Sequence, residues 1–112
     1  MGRNVRQIIL PFHTNASAIA DGGELNVGAG HVLMNVAVTG DAVDFILVIE
    51  GKANDNDDYT GIMCPNLETF AMSTTITANG KYQLSLEAIT RLRIRLLSIS
   101  SGAVSVIGTV VN

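Results

Sequence analysis

The stretch TRLRIRLLSISSGAVSVIG, residues 90–108, decides the fold class of this chain. Three arginines alternate with aliphatic residues over 91–96, a Ser-Ser-Gly turn follows, and Val104 and Val106 belong to a second alternating run. Alternation with a period of two places successive side chains on opposite faces of a β-strand. The stretch therefore predicts two consecutive β-strands, each with one face turned towards a hydrophobic core.

The same pattern recurs through the rest of the chain, in HVLMNVAVTG (31–40), VDFILVIEG (43–51) and GKYQLSLE (80–87). Segments rich in Gly, Asn and Asp separate these runs, and no segment of ten or more residues shows a helical period. Short strands at this spacing are typical of an all-β sandwich or barrel. We expect a single antiparallel β-sandwich, jelly-roll-like with about eight strands, or alternatively an Ig-like sandwich. The residues predicted to form its core are Val36, Val38, Phe45, Leu47, Ile49, Tyr82, Leu84, Leu86, Leu92, Ile94, Leu96, Val104 and Val106.

The length of the chain, 112 residues, indicates one domain, 1–112. Within it we expect an N-terminal strand and loop-rich arm over 1–30 and the sandwich core over 31–112. The segment NVRQIILPF, residues 4–12, predicts an edge strand that ends at Pro11, because proline cannot donate to a central ladder.

The low charge content of the chain points to a buried contact surface. Charged residues make up 15% of the chain, against about 25% in an ordinary domain. A surface with so few charges is expected to be partly covered by a partner. We expect a homo-oligomer, because closed cyclic symmetry covers a patch without polymerisation, and a trimer is the favoured form. The residues expected at this interface are Ile8, Ile9, Leu10 and Phe12, together with Arg91, Arg93 and Arg95.

The arginine stripe could also suit a phosphate backbone, because residues two apart on a strand project about 7 Å apart. However, the net charge is −3 and aromatic residues are only 4% of the chain, whereas nucleic-acid surfaces combine basic charge with stacking rings. We expect no nucleic-acid partner. The stripe is interpreted as a solvated strand face that pairs with acidic neighbours of the same or an adjacent subunit. The acidic candidates are Asp44, Glu50 and Glu87.

Residues that could carry chemistry are few and scattered. Cys64 is the only cysteine and is expected to be a small buried hydrophobe. His13 and His31 have no companion at metal-ligand spacing, and the loop NDNDDYTG (54–61) lacks the glycine and the distal glutamate of a calcium loop. We expect no enzyme activity, no metal and no cofactor. The longest apolar run, 45–49, is too short to span a membrane, so no membrane contact is expected.

A characteristic pattern of strands and turns extends over roughly residues 43–108. The residues that form it are Glu50, Gly51 and Tyr59, then Gly80, Tyr82, Leu84 and Leu86, then Arg91, Arg93 and Arg95, and finally Ser101, Gly102, Val104 and Val106. The pattern resembles that of small β-sandwich structural proteins of tailed bacteriophages. The chain departs from the family pattern at Lys52, which replaces a small residue, at an absent Asp-Gly turn, and at Tyr59, where the family often has Trp.

The resemblance implies a non-enzymatic virion structural protein of a tailed phage or prophage. Such a protein decorates or stabilises the capsid, or serves as a head or tail accessory subunit, through contacts with the major capsid protein or another virion protein. Its location would be the virion, after synthesis in the bacterial cytoplasm. The alternative is a carbohydrate-binding β-sandwich module, for which Tyr59 is the available stacking ring.

Overall fold

Eleven β-strands and their connecting loops make up the part of the chain that the computed structural model describes, residues 7–28 and 32–111. Six of these strands have six or more residues, and β5 to β8 have two residues each. The strands are β1 (Gln7–Ala16), β2 (Glu24–Asn26), β3 (Leu33–Gly40), β4 (Ile46–Lys52), β5 (Thr60–Gly61), β6 (Cys64–Pro65), β7 (Met72–Ser73), β8 (Thr75–Ile76), β9 (Gly80–Ser85), β10 (Arg91–Ser98) and β11 (Val104–Val111).

Two antiparallel sheets form the sandwich. Sheet A has the strand order β1-β11-β3-β9, and sheet B has the order β2-β10-β4-β5, with β8 also paired to β4. The chain changes sheet at each step from β1 to β4 and again from β8 through β9 and β10 to β11. An Ig-like sandwich instead keeps strands A and B in one sheet. The arrangement is therefore the jelly-roll-like one that the sequence predicts.

The core lies between the two sheets, and every residue predicted for it is buried, with at most 5% of its surface exposed. The alternation explains this result, because every second residue of each long strand faces the opposite sheet. The prediction was incomplete. The additional apolar residues buried in the same core are Phe12, Leu25, Met34, Cys64, Ile76 and Val110.

Residues 7–28 contribute directly to both sheets. Strand β1 is an edge strand of sheet A, as predicted, but it does not end at Pro11 and continues to Ala16. On an edge strand the missing N–H of proline can face away from the ladder, so the strand is not interrupted. The register shifts between Pro11 and His13. The Phe12 ring then packs over Gly108 of β11, where an added Cβ would lie 2.6 Å from Phe12 Cε2.

His13 joins the two sheets. The ring is 4% exposed, and its Nε2 lies 2.7 Å from the carbonyl oxygen of Ile94 on β10, to which it donates a hydrogen bond. A buried imidazole needs such a partner, and this one connects β1 of sheet A to the centre of sheet B. His13 is therefore a structural residue. The other histidine considered from the sequence, His31, lies outside the described residues.

Candidate interaction surfaces

The outer face of sheet B carries the arginine stripe. Arg91, Arg93 and Arg95 alternate along β10 with three fully buried aliphatic residues, so their side chains project from the opposite side of the strand. We call these three residues the arginine face. The antiparallel register places Arg93 opposite Glu50 of β4 and opposite Glu24 of β2. The carboxylates that could neutralise the stripe therefore come from both neighbouring strands.

Glu50 is the centre of the arginine face. Arg93 Nε donates to Glu50 Oε1 at 2.9 Å, and Arg95 Nε donates to the same oxygen at 3.2 Å. The Glu50 side chain is 12% exposed, so this shared interaction is shielded from water more than an ordinary surface ion pair. The predicted pairing with Glu50 is confirmed. Within the described ranges, Asp44 and Glu87 make no ion pair with these arginines.

Arg91 has partners that were not predicted. Its Nη1 lies 2.6 Å from Glu24 Oε1, and its Nε lies 2.8 Å from Asp55 Oδ1. Hydrogen bonds from the Tyr59 hydroxyl and from Arg91 hold the pKa of Glu24 below its ordinary value. The Arg91 guanidinium likewise lowers the pKa of Asp55. Both carboxylates are separated from Arg91 by long stretches of sequence, so only the folded topology brings them together.

Tyr59 covers the middle of the arginine face. The Arg93 guanidinium carbon lies 3.9 Å from the ring centroid, the Lys52 ammonium nitrogen lies 4.7 Å from it, and the Tyr59 hydroxyl donates to Glu24 Oε2. Burial and the hydrogen bond to Glu24 raise the pKa of Tyr59 to about 12, so the hydroxyl stays protonated at neutral pH. The ring is already engaged by cations of its own chain.

The residues of the expected N-terminal interface divide into two groups. Ile8 and Ile9 are 39% and 61% exposed and lie on the free edge of sheet A. Leu10 is half-buried and packs against the core, and Phe12 is 2% exposed inside it. Phe12 therefore belongs to the interior of its own chain, because β1 continues past Pro11 and Phe12 lies on the same inward side as Leu10. Only Ile8 and Ile9 present an exposed apolar surface.

The outer face of sheet A has the opposite character to the arginine face. Its exposed or half-buried strand residues are mainly apolar or uncharged, and Lys81 is the one charged side chain among those that the structure describes on β1, β3, β9 and β11. A concavity of about 530 Å³ opens on this face. Ala37, Lys81 and Ile107 contribute to its walls, and Leu67 borders it from the loop between β6 and β7.

That loop, residues 66–71, carries an exposed aromatic residue and is called the tip loop below. Phe70 is 78% exposed and has a φ of 60°, in the left-handed region that a bulky residue rarely adopts. Asn66 fixes the loop: its Oδ1 accepts hydrogen bonds from the N–H groups of Glu68 (2.7 Å) and Thr69 (3.2 Å), and its carbonyl accepts one from Phe70 N at 2.7 Å.

Sequence reasoning missed the tip loop. The signal available was the apolar content of NLETFAM, residues 66–72, which shows no alternation and thus has no predicted place in the core. Leu67, Phe70 and Met72 are all at least 40% exposed. Apolar residues without strand periodicity, between turn residues, were therefore an indication of a contact surface.

The remaining candidates for chemistry are isolated. Within the described part of the chain, no three His, Cys, Asp or Glu side chains are grouped as metal ligands would be. Cys64 is 3% exposed, as expected for a small buried hydrophobe, and burial raises the pKa of its thiol to about 11. A thiol with such a pKa is a poor nucleophile at neutral pH. No helix among the described residues is long and apolar enough to cross a membrane.

Comparisons with known proteins agree with this architecture. Among solved structures, the SPBc2 prophage-derived protein YomS is similar with a TM-score of 0.87 and 17% identity, over 100% of this chain and 98% of that chain. The PBSX exported protein XepA is similar with a TM-score of 0.90 and 20% identity, over 100% of this chain and 40% of that chain. This chain thus spans less than half the length of XepA. At these identities the two structures support the shared fold.

Among curated proteins, none matches this chain. The family model of XepA matches residues 6–110. That range includes both sheets, the arginine face and the tip loop. Because the match extends over nearly the whole chain, the protein belongs to the XepA family.

Proposed function

We propose that this protein is a non-enzymatic structural protein of a phage or prophage particle that acts through protein–protein contacts. The observation that carries the proposal is the charge-poor outer face of sheet A, with its concavity and with the exposed Phe70 on the tip loop, which borders the concavity through Leu67. A surface that is poor in charge and exposes large apolar side chains is typical of a contact site between proteins. Two relatives, named as a prophage-derived and an exported protein, support the phage connection.

Within the particle, the protein decorates or stabilises the capsid, or serves as a head or tail accessory subunit. Its partner is the major capsid protein or another virion protein, and its location is the virion after synthesis in the host cytoplasm. Many copies on a repeating shell would gain affinity from multivalency, so that each individual contact can be small.

The protein is further proposed to be a homo-oligomer, with a trimer favoured. Support comes from the exposed Ile8 and Ile9 on the free β1 edge of sheet A, because an uncovered edge strand readily pairs with another chain. Light scattering at micromolar concentration tests this proposal. A mass near 11.8 kDa, that of one chain, would contradict the oligomer, and a stable dimer would contradict the trimer alone.

The carbohydrate-binding alternative has less support. A sugar platform needs an exposed ring face, whereas the Tyr59 ring contacts Arg93 and Lys52 of its own chain.

The arginine face is not available for nucleic acid, because its arginines are paired with Glu24, Glu50 and Asp55. We therefore expect no mobility shift of single- or double-stranded DNA at physiological salt. Micromolar binding with a steep salt dependence, lost in Arg93→Ala, would contradict this expectation.

Purified particles provide the direct test of the virion assignment. Particles released from the source lysogen are banded on a density gradient, and the protein is quantified by mass spectrometry against the major capsid protein. We expect it to co-purify at a fixed ratio that survives a second gradient. Recovery only in the soluble lysate fraction, with particles free of it, would refute the proposal.

A further inference from the structure

We propose that Phe70 of one copy inserts into the sheet A concavity of a second copy of this chain. The inference rests on the proposed homo-oligomer and identifies the contact that forms it. It assigns the tip loop as the projecting element, with the concavity bordered by Ala37, Lys81 and Ile107 as its receptor.

The first argument is the conformation of Phe70. Left-handed backbone is unfavourable for a residue with a Cβ, and Gly or Asn adopts it more readily. Here an aromatic residue occupies the position, and the hydrogen bonds of Asn66 maintain it. The result is an ordered loop backbone that presents a 78% exposed ring to solvent. A loop that is already ordered loses less conformational entropy on binding than a flexible one, and aromatic side chains are enriched at protein interfaces.

The second argument is the size and lining of the concavity. A cavity of about 150 Å³ lined by aliphatic groups holds a benzene ring. The concavity on sheet A measures about 530 Å³ and is open to solvent, so a phenyl ring fits with room for flanking residues. Ala37 forms a shallow floor between the side chains of Ile107 and Lys81, its cross-strand neighbours on β11 and β9. An aromatic ring placed there would contact aliphatic carbon on both sides.

The third argument is charge. Glu68 lies two residues before Phe70 on the exposed tip loop, and Lys81 is the single charged residue bordering the concavity. Neither of them forms an ion pair with another described residue. Seating Phe70 of one copy in the concavity of the next brings a carboxylate towards an ammonium group. The arginine face, whose arginines all have partners, offers no comparable unpaired charge.

The oligomer mass of surface variants tests the contact. We expect Phe70→Asp to weaken self-association at least tenfold, measured by light scattering over a dilution series. Ile19→Asp is the matched control, because Ile19 is also well exposed (69%). The next residue, Ala20, is bridged to Leu96 of sheet B, whereas the concavity lies on sheet A. Circular dichroism melts of both variants establish that they fold. An oligomer that persists in Phe70→Asp overturns the Phe70 contact and leaves the proposed oligomer intact.

A charge exchange provides an independent readout. Glu68→Lys and Lys81→Glu are each expected to weaken association several-fold, and the double variant is expected to restore it to within about threefold. Failure of the double variant to recover would overturn the Glu68–Lys81 pairing. A wild-type protein that stays monomeric at every concentration overturns both the contact and the proposed oligomer. Phe70 would then be a candidate contact residue for a different virion protein.

Disulfide trapping locates the contact directly. Ala71→Cys and Ala37→Cys are prepared as separate proteins, so that Phe70 itself stays in place, and native Cys64 is 3% exposed and thus protected. Because each protein has one surface cysteine, a bond between positions 71 and 37 can form only between two copies. We expect a crosslinked dimer in the oxidised mixture that neither protein gives alone. Absence of that mixed product, with wild-type oligomer present, overturns the proposal.

Discussion

Replacement of Phe45 by alanine tests the assignment of the core most directly. Phe45 is 4% exposed and directly precedes β4. Its backbone corner is held by hydrogen bonds from Val43 N to Ser101 O (2.9 Å) and from Ser100 N to Val43 O (3.0 Å). Because this corner is fixed, the space left by the ring cannot easily collapse, and the residual cavity adds to the loss of burial.

The expected loss follows from the area of the ring. A buried aromatic side chain covers about 150–250 Å², and at about 25 cal/mol per Å² this corresponds to about 4–6 kcal/mol. Alanine retains part of that contact, so we expect a decrease of about 3–5 kcal/mol in the free energy of unfolding. A domain of this length has roughly 6–17 kcal/mol in total, so the variant is expected to remain measurable.

Urea denaturation followed by circular dichroism provides the assay. With a slope of about 1.5 kcal/mol per molar urea, Phe45→Ala is expected to lower the midpoint by about 2–3 M. Ile19→Ala, at an exposed position, is expected to change the free energy by less than about 0.5 kcal/mol. If Phe45→Ala does not fold, Phe45→Leu is expected to lose a smaller amount in the same direction. A midpoint unchanged in Phe45→Ala would refute the burial of this ring and the strand register that depends on it.

Three further outcomes are expected. Gly108→Ala should destabilise the fold by about 1–3 kcal/mol in urea, because its Cβ would lie 2.6 Å from the Phe12 ring, whereas Gly23→Ala, whose Cβ meets no atom closer than 3.5 Å, should be nearly neutral. The pKa of Glu24 is lowered in the folded protein, first by the Tyr59 hydroxyl and then by the Arg91 guanidinium. The resulting stabilisation is complete above the ordinary pKa of 4.5 and is lost as the pH falls through the lower pKa that Glu24 has in the folded protein. Thermal melts should therefore show a decrease in stability below about pH 4.5 that is smaller in Glu24→Gln than in the wild type. Cys64, with a pKa raised to about 11, should react with a thiol reagent at pH 8 far more slowly in the native protein than in urea, and equal rates would contradict its burial.

The sheets were predictable from the sequence where strands are long enough to show a period. The runs that became β3, β4, β9, β10 and β11 each contain at least six residues, so the buried side of each could be assigned. The two-residue strands β5 to β8 have no period to read, and the segment between β4 and β9 could not be predicted. Phe12 was assigned to an interface together with Ile8, as part of an uncovered sheet edge, but it is buried in the core of its own chain. The strand was expected to end at Pro11, whereas an edge position tolerates proline.

The interaction surfaces were less predictable, because they depend on which strands become neighbours. Glu50 could be proposed as a partner of the arginines only as one of three acidic candidates, because the pairing of β4 with β10 cannot be read from the sequence. Glu24 and Asp55 could not, because their contact with Arg91 requires the crossover that brings β2 to the other side of β10 and the loop after β4 over it. The exposure of Phe70 likewise depends on a loop whose shape Asn66 sets through local hydrogen bonds.

The position of β11 between β1 and β3 has a consequence for how the protein is made. Strand β1 pairs with β11, which follows it by almost ninety residues. During translation β1 is therefore synthesised long before its partner strand. Synthesis proceeds at about 5–20 residues per second, and the intervening delay of several seconds leaves the Phe12 side of β1 without its cover. Pairing of distant segments also makes folding itself slow compared with helical proteins of similar size. In a newly made chain β1 is therefore an unpaired strand, open to pairing with other chains, until β11 is released.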